Sequence, residues 1–261
     1  MQSLKELSLK YESDKSTAHN YTHIYEKYLS SFKNKKIKLL EIGIGGYSST
    51  SKGGGSLKMW RDYFKKGKIA GLDIEDKHLK LGKRVHIFKG SQENPKDLSK
   101  IIKLFKNFDF IIDDGSHLNN HQIKTFKLLF PYLKNGGLYF IEDVQTSYML
   151  KYGGDGFYLN NRKTAVNYFK TFIDKINYQE IENPFLKVDY FSKNITEIHF
   201  YHNFIVIKKD KNVEKSNILV NNAKYPKGKN LLFLRKKIKL IKYLFHQIRA
   251  FIYKFLDQIK I

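Results

Sequence analysis

Five short apolar runs punctuate the first 143 residues, and they limit the possible folds more than anything else in the chain. They are KIKLLEIG (36–43), KIAGLDIE (68–75), RVHIFKG (84–90), FDFIIDD (108–114) and GGLYFIED (136–143). Each is four to eight residues of near-continuous Ile, Leu, Val or Phe ending in Gly or an acid, the pattern of a strand buried on both faces. Helical spacing fills 56–66, 95–106 and 119–133 between them. Strands separated by helices predict βαβ units and a parallel sheet. After residue 190 the pattern changes: NITEIHF (194–200) and FIVIKK (204–209) flank Tyr201-His-Asn203 and read as a hairpin. The expectation is an α/β, Rossmann-like fold with a mostly parallel seven-stranded sheet that ends in an antiparallel hairpin. Right-handed crossovers then place ligands at the carboxyl ends of the strands.

Those strand ends carry the residues with chemistry. The first closes on Glu41-Ile-Gly-Ile-Gly-Gly46, where glycines permit a tight turn and close approach of a ligand to backbone. The spacing is not GxGxxG, because Tyr47 and Ser48 follow the glycine pair. Glu41 would repel a pyrophosphate and suits a cationic or zwitterionic ligand. Asp73, at the end of the second strand, stands where an acid accepts hydrogen bonds from ribose hydroxyls. Asp113-Asp114-Gly-Ser-His117 ends the fourth strand and Glu142-Asp143 the fifth. Carboxylates gathered there repel one another unless a cation lies between them, and hard oxygen ligands suit Mg²⁺ or a similar ion. His117 follows on the same loop and is the candidate general base, since imidazole ordinarily titrates near pH 6.5. The alternative for each acid is a helix N-cap, worth about 1 kcal/mol.

Taken together, these elements resemble the class I S-adenosylmethionine-dependent methyltransferases, whose cofactor half looks like LLEIGIGGYSSTSKGGGSLKMWRDYFKKGKIAGLDI (39–74). More narrowly, SDKSTAHNYTHIYEKYL, GGGSLKMWRDYF, IIDDGSHLNNHQ and FIEDVQTSY resemble the macrocin- and mycinamicin-type O-methyltransferases of macrolide sugars, over roughly residues 10–210. The resemblance implies S-adenosylmethionine and Mg²⁺ (or Mn²⁺) as cofactors and a sugar hydroxyl as acceptor. It implies Asp114, Glu142 and Asp143 as metal ligands and His117 as the base. It lines the cofactor site with Glu41, Gly43, Gly45, Tyr47, Ser56, Asp73, Ser91, Gln92 and Asp113, and covers it with the segment around Thr17 and Tyr21. Ser91 departs from the family pattern, which commonly has an acid there. The large N-terminal domain of the mycinamicin enzyme has no expected counterpart. The acceptor is expected to be a small-molecule or nucleotide-linked sugar in surface polysaccharide or glycoside biosynthesis, with a lipid-linked sugar as a variant of that reading.

Charge raises a competing reading. Lys and Arg number 48 against 25 acids, a net +23, which can mean nucleic acid or an anionic membrane. Only five of these are Arg, and the rest is diffuse Lys beside abundant Ile, Asn, Tyr and Phe, as an AT-rich coding sequence would produce. A nucleic-acid methyltransferase or binder is therefore the alternative, and no nucleic-acid partner is expected. A non-catalytic, membrane-associated scaffold is a third reading, disfavoured by the full set of ligand-type residues. Residues 224–261 carry eleven Lys/Arg and one acid and form a tail distinct from a 1–223 domain. There Leu234, Ile238, Ile241, Phe245, Ile248, Ile252, Phe255 and Ile259 are spaced as one helix face, widened by Leu244 and Phe251. That helix is expected to pack on the body or on a second copy, or to rest on an anionic membrane. With no Cys, no apolar leader and no run of 18 apolar residues, the expectation is a cytoplasmic protein, with peripheral contact at the inner face of the membrane as a further reading.

Overall fold

Every apolar run becomes a strand. In chain order the elements begin with α1 (Leu4–Lys10) and α2 (Thr22–Leu29), followed by β1 (Lys38–Ile42), α3 (Gly55–Tyr63), β2 (Lys68–Asp73) and β3 (Val85–Lys89). Next come α4 (Pro95–Phe105), β4 (Phe108–Asp113), α5 (Asn119–Leu129) and β5 (Leu133–Ile141). The short helices α6 (Ala165–Lys170), α7 (Phe172–Ile176) and α8 (Tyr190–Asn194) precede the hairpin of β6 (Ile195–Tyr201) and β7 (Phe204–Lys209). This computed structural model describes residues 2–181, 183, 185–214 and 240–252.

The strands form one sheet in the order β3-β2-β1-β4-β5-β7-β6. β1 to β5 pair in parallel, and β7 enters antiparallel between β5 and β6. The chain steps outward from β1 to β2 and β3, then returns to place β4 on the other side of β1. That reversal opens a crevice at the carboxyl ends of β1 and β4. α5 is shorter than its spacing predicts: Pro131, which lacks an N–H, follows it in a 3-10 turn (Phe130–Tyr132), and β5 starts directly at Leu133.

Two apolar layers sandwich the sheet. One holds Leu7, Tyr25, Leu57, Trp60 and Phe64 from α1, α2, α3 and the residue closing α3, against Leu39, Phe110, Ile112 and Phe140. The other holds Leu98, Ile101, Phe126 and Phe169 from α4, α5 and α6, against Leu40, Ile111, Tyr139 and Ile141. Alternate residues of a strand face opposite layers. Glu41, Asp114 and Glu142 continue the parity of the first layer, whereas Asp113 points into the second.

Residues 240–252 are helical, in keeping with the spacing, and Ile241, Leu244, Phe245, Ile248, Phe251 and Ile252 are exposed. Leu234, Ile238, Phe255, Ile259 and the boundary expected at 224 lie outside the described residues. Among the described residues, no helix is long and apolar enough to cross a membrane.

Candidate active site

A cavity of about 680 Å³ opens at the crevice. Its wall includes Gly43, Gly45 and Tyr47 after β1, Asp73 at the end of β2, Ser91 and Gln92 after β3, Asp114 and His117 after β4, and Asp143 after β5. Nine residues singled out in the sequence thus meet on one wall although they come from five different strand ends. The volume falls within the several-hundred-Å³ range of small-molecule sites.

The glycines have a steric reason. Gly43 (φ +87°) lies where a Cβ would overlap the carbonyl oxygen of Asp114. Its N–H donates to Leu72 O at 2.8 Å, and Asp114 N–H donates to Ile42 O at 3.0 Å, so the ends of β1, β2 and β4 are drawn together at this point. The Asp73 carboxylate accepts the backbone N–H groups of Ile44 and Glu75, each at 2.9 Å, and so fixes the glycine turn against β2.

The acids separate by face. Asp113 is buried away from the cavity, accepting from Gln92 Nε2 at 3.1 Å and from the Tyr139 hydroxyl at 3.5 Å. Burial pushes its pKa up to about 7. Gln92 also donates to Thr125 Oγ1 at 3.1 Å and accepts from Ser116 N–H at 2.8 Å, so it braces the loop that carries His117. Glu41 lies behind the glycines, where its Oε2 accepts from Ser56 Oγ at 2.8 Å. Glu41, Ser56, Asp113, Thr17, Tyr21 and Glu142 are therefore not brought to the cavity wall. The strand pleat turns Asp113 to the far layer, and turns Glu41 and Glu142 toward the N-terminal helices.

There the structure supplies a residue that sequence reasoning missed. Lys15, wholly buried between α1 and α2, places Nζ 2.6 Å from Asp114 Oδ2, 2.6 Å from Glu142 Oε1 and 3.3 Å from Glu41 Oε1. The Tyr25 hydroxyl also donates to Glu142 Oε1, at 2.5 Å. Burial opposes the Lys15 charge, but the three carboxylates outweigh it and hold its pKa well above the usual value. Burial raises Glu41, Asp114 and Glu142 above the ordinary carboxylate range, only partly offset by Lys15.

Asp143 and His117 form the open side. Both backbones adopt positive φ, +54° and +56°, an uncommon conformation for residues with a Cβ that tends to mark working sites. His117 Nε2 lies 3.6 Å from Asp143 Oδ2 and 4.0 Å from Asp114 Oδ1. Donor atoms of Asp114, His117 and Asp143 lie within 4.8 Å of one another, close enough to share one divalent ion. The other Asp143 oxygen, Oδ1, accepts from the Tyr21 hydroxyl at 2.7 Å, and His19 Nδ1 stands 3.5 Å from it. Tyr21 also stacks on His19, and Asp14 and His19 of the segment 14–21 that roofs the acids line the cavity together with the glycine turn. The only signal for Lys15 and His19 in the sequence is their place inside SDKSTAHNYTHIYEKYL; nothing in their spacing announces a role.

Four buried carboxylates with raised pKa give a sign to the pH dependence. Such groups favour the protonated form in the fold, so their contribution is present at low pH and is lost as pH rises; for Asp113 that window ends at about pH 7. For Asp113 the loss is on the order of a few kcal/mol. Asp113→Asn should flatten the decline in denaturation free energy between pH 4 and 7. An unchanged slope would show that Asp113 titrates alike in the folded and unfolded chain.

The strand order, the glycine turn and the acids at the strand ends define a class I methyltransferase fold. Within that class the chain is a relative of the macrolide-sugar O-methyltransferases. It is 38% identical over 213 residues to mycinamicin VI 2''-O-methyltransferase of Micromonospora griseorubida, a span of 81% of this chain and 53% of the relative. It is 38% identical over 213 residues to demethylmacrocin O-methyltransferase of Streptomyces fradiae, covering 81% and 54%. Among solved structures, the MycE methyltransferase from the mycinamycin biosynthetic pathway, in complex with Mg and SAH, superposes with a TM-score of 0.79 at 35% identity over 90% of this chain and 60% of that one. The chain spans about half the length of the curated relatives it matches. A scan against protein-family models finds no match.

Proposed function

We propose that the chain transfers a methyl group from S-adenosylmethionine to a hydroxyl of a sugar, with the help of a divalent metal ion. The observation that carries this is the convergence of Asp114, Asp143 and His117 on the wall of the cavity that also bears the glycine turn and Asp73. Support comes from relatives named as O-methyltransferases of mycinamicin VI, demethylmacrocin and a rhamnosyl tetracenomycin, and from the solved relative with Mg and SAH bound.

The two carboxylates fit a hard cation: Asp114 and Asp143 bring donor oxygens within 4.8 Å of each other, and His117 stands beside them, free to act as the base. Asp114 and Asp143 would hold the ion, and Glu142, the third ligand implied by the resemblance, adjoins them through Lys15. The ion, when bound, makes a coordinated hydroxyl more acidic. His117 Nε2 takes the hydroxyl proton, and Asp143 Oδ2 and Asp114 Oδ1 beside it stabilise the imidazolium that results. Asp73 offers its remaining lone pairs to the ribose diol. Gly43 and Gly45 let the ligand approach the backbone, so that oxygen, methyl carbon and sulfur align. Glu41 acts from behind the turn, through Ser56 and Lys15. Thr17 and Tyr21 belong to the roof, and Tyr21 orients Asp143.

A surface polysaccharide or another glycoside is the proposed setting, with residues 1–223 as the catalytic unit. The basic tail is an accessory that meets a second copy or an anionic membrane surface, and the proposed location is cytoplasmic.

Incubation with S-adenosylmethionine, Mg²⁺ and a panel of nucleotide sugars and glycosides, read by mass spectrometry, tests the reading. One acceptor should gain a methyl group, and the gain should vanish in EDTA and return with Mg²⁺ or Mn²⁺. Full transfer in excess chelator would remove the metal from the mechanism. Binding of the cofactor with no transfer to any sugar would sink the acceptor class.

A further inference from the structure

Asp143 is held in a backbone conformation that a residue with a Cβ does not favour, at φ +54° and ψ +38°. Such a conformation persists only where the surroundings fix it. The peptide after Asp143 is fixed at both ends. Asp143 O accepts from Thr146 N–H at 3.2 Å and from Thr146 Oγ1 at 3.0 Å, and Val144 N–H donates to Asn203 O at 3.1 Å. The peptide before Asp143 has one hydrogen bond among the described residues, from Gln122 Nε2 to Glu142 O at 3.0 Å.

Gln122 lies in the first turn of α5 and is wholly buried. As a stabilising side chain it is a poor choice: its Oε1 is buried and has no hydrogen-bond partner among the described residues, a cost that a Leu or Met of similar size would avoid. Its amide instead reaches from α5 to the end of β5. α5 begins two residues after His117, so this one side chain links the loop that carries His117 to the peptide that carries Asp143. Asn119, three residues earlier on the same buried face, donates to Thr146 O at 3.0 Å and steadies the segment that leaves Asp143.

We propose that Gln122 is a positioning residue that holds Asp143 in its left-handed backbone. It thereby keeps Asp143 Oδ2 3.6 Å from His117 Nε2 while Oδ1 accepts from Tyr21. Without the amide, Asp143 relaxes to negative φ and its carboxylate swings away from His117 and Tyr21. The effect on turnover rests on the function proposed above; the effect on the direction of Asp143 rests on the geometry alone.

The test compares the parent chain with Gln122→Met, which keeps the length and removes the donor. Mn²⁺ affinity, measured by calorimetry, should fall on the order of tenfold. Affinity for S-adenosylhomocysteine should stay at the parent's, since the glycine turn and Asp73 are untouched. In the methyl-transfer assay kcat should fall with the KM for S-adenosylmethionine unchanged. A double-mutant cycle with Tyr21→Phe in urea supplies a readout free of the metal. The Tyr21 hydroxyl donates to Asp143 Oδ1, so it reports where Asp143 points. Tyr21→Phe should cost stability in the parent and little in Gln122→Met, whereas a glutamine that merely packs would give additive losses. Additive losses overturn the proposal. So does Mn²⁺ affinity that is unchanged in Gln122→Met, or S-adenosylhomocysteine affinity that falls by as much. A parent that binds no Mn²⁺ removes the metal from the proposed function, and the cycle alone then decides on Gln122. If Gln122→Met does not fold, Gln122→Asn, which draws the amide back by one methylene, takes its place under the same criteria. Failure of both variants to fold overturns the proposal.

Discussion

Replacing His117 with Ala should slow methyl transfer by about 10²–10⁴-fold, the usual contribution of a positioned general base. Its Nε2 is the imidazole nitrogen that faces both Asp143 and Asp114 on the open side of the acids. His117→Asn is the better-matched variant, because Asn tolerates the left-handed backbone at φ +56° and cannot act as the base. His121 is the internal control. It also lines the cavity, but its Nδ1 lies 2.9 Å from Ser116 Oγ and its Nε2 3.5 Å from Glu93 Oε2, so both nitrogens are engaged. Single-turnover rates on the acceptor found by the screen decide the matter. A dead His121→Ala beside an active His117→Asn would reverse the assignment.

Gly43→Ala should cost about 3 kcal/mol of stability and most of the cofactor affinity. Two penalties combine there: a left-handed φ of +87° and a Cβ driven onto the carbonyl oxygen of Asp114, a backbone atom that moves only if β1 and β4 part. Gly45→Ala makes the contrast. Its φ of +74° carries the first penalty, but a Cβ there meets nothing within 4 Å, so about 1 kcal/mol is expected. Urea denaturation measures the stabilities, and calorimetry with S-adenosylhomocysteine measures the affinity. Equal losses in the two variants would mean that the packing of β1 on β4 is looser than the structure has it.

Much of this molecule is written locally. Strands covered on both faces need continuous apolar residues, so all five parallel strands stand out, and the hairpin announces itself by its two runs around Tyr201-His-Asn203. The glycine turn and the acids at strand ends are legible for the same reason, since their meaning comes from the strand before them. The motifs alone put both Asp113 and Asp114 at the site, whereas adjacent residues of a strand face opposite layers, and that pleat separates the core acid from the cavity acid. Lys15 was not legible. A lysine in a polar segment between helices looks like a solvated side chain, and only contacts with residues 114 and 142 make it a buried cation. His19 and the short helices α6 to α8 were hidden likewise, since long-range packing decides them more than period does.

The roof over the acids has a consequence for how the chain is made. Residues 14–21 leave the ribosome before their partners at 114, 142 and 143, which emerge more than ninety residues later. Glu41 on β1 and Asp114 after β4 can meet Lys15 first, but Glu142 and Asp143 come only with the end of β5. The cluster of acids is thus complete only once the end of β5 has been made, before the β6–β7 hairpin follows. A chain stalled before residue 142 would hold the glycine turn, Glu41 and Asp114 but lack Glu142 and Asp143, so the cluster around Lys15 and Tyr21 would be incomplete.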